Sequence, residues 1–155
     1  VGCDATRYFL VARRPDSQLV FDIDLAKSQN NDNPVFYIQY AHARISKVLE
    51  QWGGDISTLK LDDSFIFDSQ IELKLIKNIS IYPEIIIQAT NELAPHQIAN
   101  FLKDCAADLH SYYNDSKFLV EDEKIRVARL SLINSAKYVL KNGLGLLGIE
   151  APQQM

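Results

Sequence analysis

The fold of this chain is decided by a segment that begins at residue 33 and reads Asn33-Pro34-Val35-Phe36-Tyr37-Ile38-Gln39-Tyr40-Ala41-His42-Ala43-Arg44. Asn33 is a favourable helix N-cap, and Pro34 takes the first helical position, where its missing N–H costs nothing. At about 100° per residue, one face of the following helix carries a buried-type stripe: Val35, Ile38, His42, Ile45 and Leu49. The pattern predicts a helix that runs to about Trp52 and ends at Gly53-Gly54.

A second face of the same helix carries Tyr37, Tyr40 and Arg44, roughly opposite the predicted buried face. Their Cα atoms span about 10 Å at a rise of 1.5 Å per residue. Two aromatic rings and a guanidinium outside the core predict a surface on which unpaired bases stack beside a cation for backbone phosphate. The alternative is that both rings pack against a neighbouring helix and Arg44 forms a surface salt bridge.

The rest of the chain predicts further amphipathic helices joined by short loops. Helices are expected over residues 4–11 and 69–79, from Tyr82-Pro83, after Pro95, and from Asp122-Glu123, whereas residues 19–26 suit either a strand or a helix. The last helix is expected to end at Asn142-Gly143 and to bury one stripe: Ile125, Ala128, Leu132, Ala136 and Val139. From Asn33 onward the predicted fold class is an all-α helical bundle.

Composition limits the kinds of protein to which this chain can belong. Its 155 residues, 47% hydrophobic and 23% charged, suffice for one well-filled core. No apolar run approaches the roughly 20 residues of a membrane span, and the first residues lack the features of a signal peptide. The missing initiator methionine predicts a piece of a longer protein, and Cys3 and Cys105 predict reduced thiols in the cytoplasm.

The formal net charge of −4 counts mildly against nucleic-acid binding through nonspecific phosphate attraction. Any RNA contact is therefore expected to be local and chemically specific. Residues outside this piece could also supply a positive field.

The pattern predicts neither a catalytic centre nor a metal site. His42, His96 and His110 lie in separate regions without the i, i+4 spacing of a helical metal pair. The glycines of residues 143–148 follow a helix and are expected to cap and turn rather than cradle phosphate. His42 is predicted to be a hydrogen-bonded core histidine, and Arg129 is predicted to pair with a buried carboxylate.

Three stretches of the sequence resemble the arginyl-tRNA synthetase family. They are residues 2–9, Gly-Cys-Asp-Ala-Thr-Arg-Tyr-Phe; residues 33–44, with a specific Tyr-x-x-Tyr-Ala-His-x-Arg block; and residues 128–155, with Ala-Arg-Leu, Lys-Asn-Gly-Leu-Gly-Leu-Leu-Gly-Ile-Glu-Ala-Pro and a terminal methionine. The resemblance covers essentially the whole chain in the right order. It implies the C-terminal part of a class I synthetase: residues 1–32 as the tail of the catalytic region and a connector, and residues 33–155 as the helical anticodon-binding domain.

The resemblance also implies roles for individual residues. In that family the two tyrosines and the arginine of the block help to receive the anticodon loop, and they match Tyr37, Tyr40 and Arg44. A tyrosine sixteen positions before the Ala-Arg-Leu arginine matches Tyr113, and the terminal methionine matches Met155. Here Gln153-Gln154 replaces the Glu-Arg pair common before that methionine, which removes a charge from the tail.

The implied partner is tRNA(Arg), bound by a cytoplasmic, monomeric enzyme with neither a membrane segment nor a metal. The family's ATP-handling signatures, a His-x-Gly-His block and a Lys-Met-Ser-Lys-like loop, do not occur in these residues. ATP and Mg would therefore act in the full-length enzyme, and this piece is expected to hold no cofactor and to be inactive by itself. Every arginine anticodon carries cytosine in the middle, so one extruded base can identify all the isoacceptors.

Two other functions remain open from the sequence. A helical protein-interaction module could present the same face to a partner helix, and its binding would be insensitive to RNA. A self-contained enzyme is disfavoured because no catalytic grouping is present.

Overall fold

Seven α-helices and one 3₁₀ turn form the regular structure of the computed structural model, which describes residues 1–62 and 64–155. The helices are α1 (Cys3–Val11), α2 (Ile23–Lys27), α3 (Pro34–Trp52), α4 (Gln70–Ser80), α5 (Tyr82–Asn91), α6 (His96–Asp115) and α7 (Glu123–Leu146), and the 3₁₀ turn is Ile56–Thr58. Within those ranges no residue is in a strand. The predicted all-α class is confirmed, and the ambiguous segment around residue 23 is a short helix.

The boundaries of α3 follow from local chemistry. The side-chain oxygen of Asn33 accepts hydrogen bonds from the backbone N–H groups of Val35 and Phe36, at 3.2 and 3.5 Å. At the other end Gly53 has a φ of 67°, a left-handed conformation in which a Cβ would be strained, and its N–H donates to Leu49 O. Both predicted ends of this helix are confirmed.

Helix α6 is the centre of the bundle and contacts α3, α4, α5 and α7. The interface is apolar, and its largest fully buried aliphatic side chains are Ile38, Leu75, Leu102, Leu130, Ile133, Leu140 and Leu144. Cys105 is buried among them, whereas Cys3 is exposed, and both are free thiols. The core therefore holds α3 and α6 in contact, which matters for the surface described below.

The first helix packs on the bundle rather than apart from it. Tyr8 is buried, and its hydroxyl donates a hydrogen bond of 3.1 Å to Ala99 O in α6. Gln39 in α3 donates from its amide to Asp4 Oδ2 at 2.8 Å and to Glu150 O at 2.9 Å. The N-terminal segment and the C-terminal tail are thus tied to the same turn of α3.

The last helix begins at Glu123 after the N-cap Asp122, as predicted, but its end and its buried stripe differ from the prediction. It continues past Asn142-Gly143 to Leu146, because Gly143 is helical and leaves room for Leu102; a Cβ there would lie 2.6 Å from Leu102 Cδ2. The predicted burial of Ile125 is wrong, since this side chain is 36% exposed. Burial along α7 begins only at Ala128, because the first turn lies at the edge of the core. Val139 is half-buried.

The predicted role of Arg129 is confirmed. Its Nε lies 3.4 Å from Oε1 of Glu72, a buried carboxylate on α4. The same carboxylate accepts a hydrogen bond of 2.7 Å from the Tyr112 hydroxyl. This group joins α4, α6 and α7 through paired charges inside the bundle.

Candidate nucleic-acid interface

An open groove with a volume of about 500 Å³ lies between α3, the end of α6 and the C-terminal tail. Its α3 wall includes Tyr40, Arg44 and Lys47, and Tyr113 of α6 lies opposite. The C-terminal tail forms the remaining wall of the groove, with Gln153, Gln154 and Met155. The structure therefore brings four of the five predicted site residues to one groove: Tyr40, Arg44, Tyr113 and Met155.

Local sequence and packing together position these side chains. Tyr40 and Arg44 are four residues apart on α3 and so lie on the same face of the helix. The tail is held against α3 because His42, which is buried, bonds through Nδ1 to Pro152 O at 2.7 Å. The prediction of a hydrogen-bonded core histidine is confirmed, and its partner is the segment that carries Met155 into the groove.

The guanidinium of Arg44 lies between two tyrosine rings. Its Cζ is 3.6 Å from the centroid of the Tyr113 ring and 5.4 Å from that of Tyr40, within cation–π range. No carboxylate among residues 1–62 and 64–155 forms an ion pair with Arg44 within 4.0 Å. The positive charge is thus oriented by aromatic faces without being neutralised.

His110 of α6 fixes the orientation of this guanidinium. Arg44 Nη1 lies 3.0 Å from His110 Nδ1, and Nη2 donates to Asn114 Oδ1 at 3.3 Å. Because a guanidinium can only donate, Nδ1 must accept, so the ring is neutral with its proton on Nε2. That Nε2–H donates to Tyr37 O at 3.1 Å. Burial lowers the pKa of His110, and Arg44 lowers it further against the opposing effect of the Tyr37 bond.

Tyr37 does not line the groove. Its ring is half-buried, with its centroid 4.4 Å from that of His110, and burial raises the pKa of its hydroxyl. The expectation that Tyr37 and Tyr40 share one open face is wrong, because α6 packs on the Tyr37 side of α3. Tyr40 remains 36% exposed, and its ring centroid lies 6.0 Å from that of Phe36 and 5.6 Å from that of His110.

Sequence reasoning missed three residues of this site: Lys47 and Glu50, which line the groove, and His110, which contacts Arg44. Lys47 lies seven residues after Tyr40, so helical periodicity along α3 could have placed it on the groove side. His110 lies three residues before Tyr113 on the same helix, but its contact with Arg44 depends on how α3 and α6 pack. Of Lys47 and His110, only the first carried a usable signal.

The groove offers three kinds of chemistry to a ligand. Exposed aromatic rings can stack with a planar base, and Arg44 with Lys47 can pair with a phosphate. The amides of Gln153 and Gln154 carry both donors and acceptors suited to the edge of a base.

Among the described residues, no group of three or more His, Cys, Asp or Glu side chains is arranged to hold a metal ion. The same residues include no helix long and apolar enough to cross a membrane.

Comparison with known proteins agrees with this geometry. Residues 38–155 match the family model described as the DALR anticodon binding domain. Arginine–tRNA ligases of Azoarcus sp. and Polynucleobacter necessarius are 50% and 47% identical over 155 and 154 residues; the matches cover 100% and 99% of this chain, and 26% and 27% of those proteins. The Thermus thermophilus arginyl-tRNA synthetase structure superposes with a TM-score of 0.82 at 32% identity, over 98% of this chain and 26% of that one. The chain thus spans about a quarter of the length of such relatives.

Proposed function

Because the chain belongs to the DALR anticodon-binding domain family, we propose that it binds the anticodon loop of tRNA(Arg) as the recognition module of an arginine–tRNA ligase. The observation that carries the proposal is the position of Arg44. It lies beside the rings of Tyr40 and Tyr113 in an open groove, and the C-terminal tail forms one wall of that groove. The close relatives named as arginine–tRNA ligases support the choice of amino acid.

In the whole protein, the proposed activity is the ATP-dependent attachment of arginine to its tRNA. ATP and Mg would bind outside these residues, because no nucleotide-binding signature occurs in this sequence. We propose that residues 1–32 belong to the end of the catalytic region and residues 33–155 to the anticodon-binding domain. We further propose a cytoplasmic enzyme that acts as a monomer.

The groove would read an extruded base by stacking and by edge contacts. Tyr40 offers a ring face, and the side chain of Met155, which is 53% exposed, offers a flexible apolar surface beside it. The Gln153 and Gln154 amides would bond the Watson–Crick edge of the cytosine common to the arginine anticodons. Tyr37 would act through His110 and the backbone of α3 instead of touching the base.

Local contacts of this kind do not require a basic domain. Each stacked base contributes on the order of 1–3 kcal/mol, which is roughly tenfold to hundredfold in affinity. Arg44 supplies its charge at the point of contact, although the net charge of the chain is −4. The acidic composition is therefore compatible with specific RNA binding.

The test is the binding of an anticodon stem-loop of tRNA(Arg) to Tyr40→Ala and Tyr40→Phe variants. The alanine variant is expected to bind roughly tenfold to hundredfold more weakly, whereas phenylalanine keeps the ring and most of the affinity. Replacing the middle cytosine of the loop should weaken wild-type binding far more than changing a neighbouring stem pair.

Unchanged affinity in a folded Tyr40→Ala variant would contradict the stacking role. No binding of the stem-loop by the wild-type chain would instead favour a protein-interaction module. A salt titration separates these functions, because each neutralised single-strand phosphate contributes a log–log slope of about −0.7.

A further inference from the structure

A second polar surface lies on α7, beyond the tail that closes the groove. Asn134, Lys137, Tyr138 and Lys141 follow helical spacing and share one side of that helix. The opposite side of α7 is buried against the bundle through Ala136, Leu140 and Leu144. We call the polar side of residues 134–141, with the adjoining Gln153, the α7 track.

The α7 track is continuous with the groove. Gln153 lines both the groove and a cavity of about 130 Å³ that also touches Lys137, Tyr138 and Lys141. Tyr138 and Lys141 in turn line a third, open depression of about 420 Å³ that extends to Leu146. A strand leaving the groove past Gln153 would therefore meet these side chains next.

The two lysines of the track are cations held close together. They lie four residues apart on the same helix face, where like charges destabilise each other. Neither forms an ion pair with a carboxylate of the described chain. Burial lowers the pKa of Lys137, and the neighbouring Lys141 charge lowers it further. An anion bound between them would relieve this repulsion.

His42, one of the residues that line this cavity, carries an unsatisfied polar atom. His42 Nδ1 lies 2.7 Å from the Pro152 carbonyl and must donate to it, so in the neutral ring Nε2 is left as an acceptor. His42 is 1% exposed, and its Nε2 has no hydrogen-bond partner in the described structure. A hydroxyl or water entering the cavity beside the lysines would supply the missing donor.

Tyr138 adds a stacking surface to these charges. Its side chain is 62% exposed, which is high for an aromatic residue on a helix whose other side is core. It lies three residues before Lys141 on α7, so a ring and a cation again share one helix face, as Tyr40 and Arg44 do on α3. The same chemistry therefore recurs along one continuous surface.

We propose that the α7 track binds the sugar–phosphate backbone of the RNA segment that leaves the groove, with Lys137 and Lys141 pairing with phosphate and Tyr138 packing against the nucleotide. This inference rests on the proposed function and extends it from the loop to the adjoining backbone. Its contribution to binding is independent of base sequence, because phosphate contacts position the RNA without reading it.

The experiment compares Lys137→Gln and Lys141→Gln with Lys103→Gln, which removes the same charge from an exposed position on α6 outside all three concavities. Affinity for the anticodon stem-loop is measured from low to high salt. Each track variant should reduce the log–log salt slope by about 0.7–0.9, which is about fivefold to eightfold in affinity at 0.1 M relative to 1 M salt. The preference for the middle cytosine should stay unchanged, and Lys103→Gln should bind like wild type.

A second measurement identifies the phosphate involved. Single methylphosphonate linkages, which remove one backbone charge, are placed in turn along the stem-loop and assayed with wild-type and Lys141→Gln chains. A linkage that weakens binding to wild type but not to Lys141→Gln is the expected partner.

The outcomes distinguish this inference from the proposed function. If the stem-loop binds with its cytosine preference but the track variants match Lys103→Gln in affinity and slope, the α7 track is not an RNA surface. Its cations would then suit an acidic protein partner instead. Failure of the wild-type chain to bind the stem-loop would overturn the proposed function, and this inference would fall with it.

Discussion

Two adjacent tyrosines on α6 lie beside two arginines in opposite environments. Tyr112 is fully buried and bonds to Glu72, which also pairs with Arg129. Tyr113 is half-buried, and its ring faces the guanidinium of Arg44 at 3.6 Å. Arg129 is neutralised by a carboxylate and joins helices, whereas the partners of Arg44 among residues 1–62 and 64–155 are aromatic or neutral. An arginine that is oriented without being neutralised retains its charge for a ligand.

The largest expected effect comes from Glu72→Ala, which removes the buried carboxylate that contacts both Tyr112 and Arg129. Removing one partner of a buried ion pair leaves Arg129 uncompensated and should lower the free energy of unfolding by about 3 kcal/mol. This is the lower end of the usual range, because the Arg129 side chain is 25% exposed. Denaturant unfolding measures the change, with Glu50→Ala in the groove as a control that should alter stability little. If the folded Glu72→Ala variant also bound RNA more weakly, the buried Glu72–Arg129 pair would affect binding as well as stability. It would then not differ in role from Arg44 in the groove.

The matching change in the groove is Arg44→Gln. One charge-assisted hydrogen bond contributes about 1.5–3 kcal/mol, so affinity for the anticodon stem-loop should fall by about tenfold or more. Stability should change less than in Glu72→Ala, because Arg44 neutralises no buried carboxylate. Stem-loop titration and unfolding of the same preparation test both parts. A variant that loses stability but keeps its affinity would make Arg44 a structural residue like Arg129.

A smaller effect is expected from pH. Burial lowers the pKa of both His110 and His42 below the 6.5 of an unperturbed histidine. The unfolded chain therefore binds more protons than the folded one as pH falls below about 6.5, and the free energy of unfolding should decrease between pH 7 and 5. Replacing both histidines with glutamine should flatten this decrease. A wild-type stability that stays constant over this range would exclude neutral histidines in both positions.

The smallest effect is expected at a third arginine. Arg14 pairs with Asp16 at 3.3 Å, and both side chains are largely exposed, at 69% and 73%. Asp16→Asn should change the free energy of unfolding by about 0.5 kcal/mol or less, because water already screens this pair. The difference between the losses of unfolding free energy in Asp16→Asn and in Glu72→Ala then measures how much burial strengthens an ion pair. A loss as large as that of Glu72→Ala would mean that the N-terminal loop packs more tightly than its exposure indicates.

The helices were predictable because their signals are local. Asn33 and Gly53 bracket α3, and both act within one turn through backbone hydrogen bonds. Gly143 was misleading, since a glycine typical of helix ends is here a point of close contact with Leu102 from another helix. Ile125 was misjudged for a related reason: periodicity identifies a face of α7, but not how far the core extends along it.

The candidate site was predictable in part of its membership, since Tyr40, Arg44, Tyr113 and Met155 do line the groove, but not in its arrangement. Tyr37 and Tyr40 look equivalent in the sequence, yet His110 covers one ring and leaves the other at the groove. The pairing of Arg44 with Tyr113 and His110 joins residues far apart in the chain. No local pattern encodes such distances.

The sequence by itself determined where α3 begins and ends, that the fold is helical, and which side chains can stack with a base. Those properties depend on interactions within a few residues. The tertiary structure alone decided that Arg44 stays unneutralised between two rings, that the tail folds back to bring Met155 beside them, and that the α7 track continues from the same groove. These depend on how α3, α6 and α7 fill a common core, because side-chain packing sets the distances between residues that are remote in the chain.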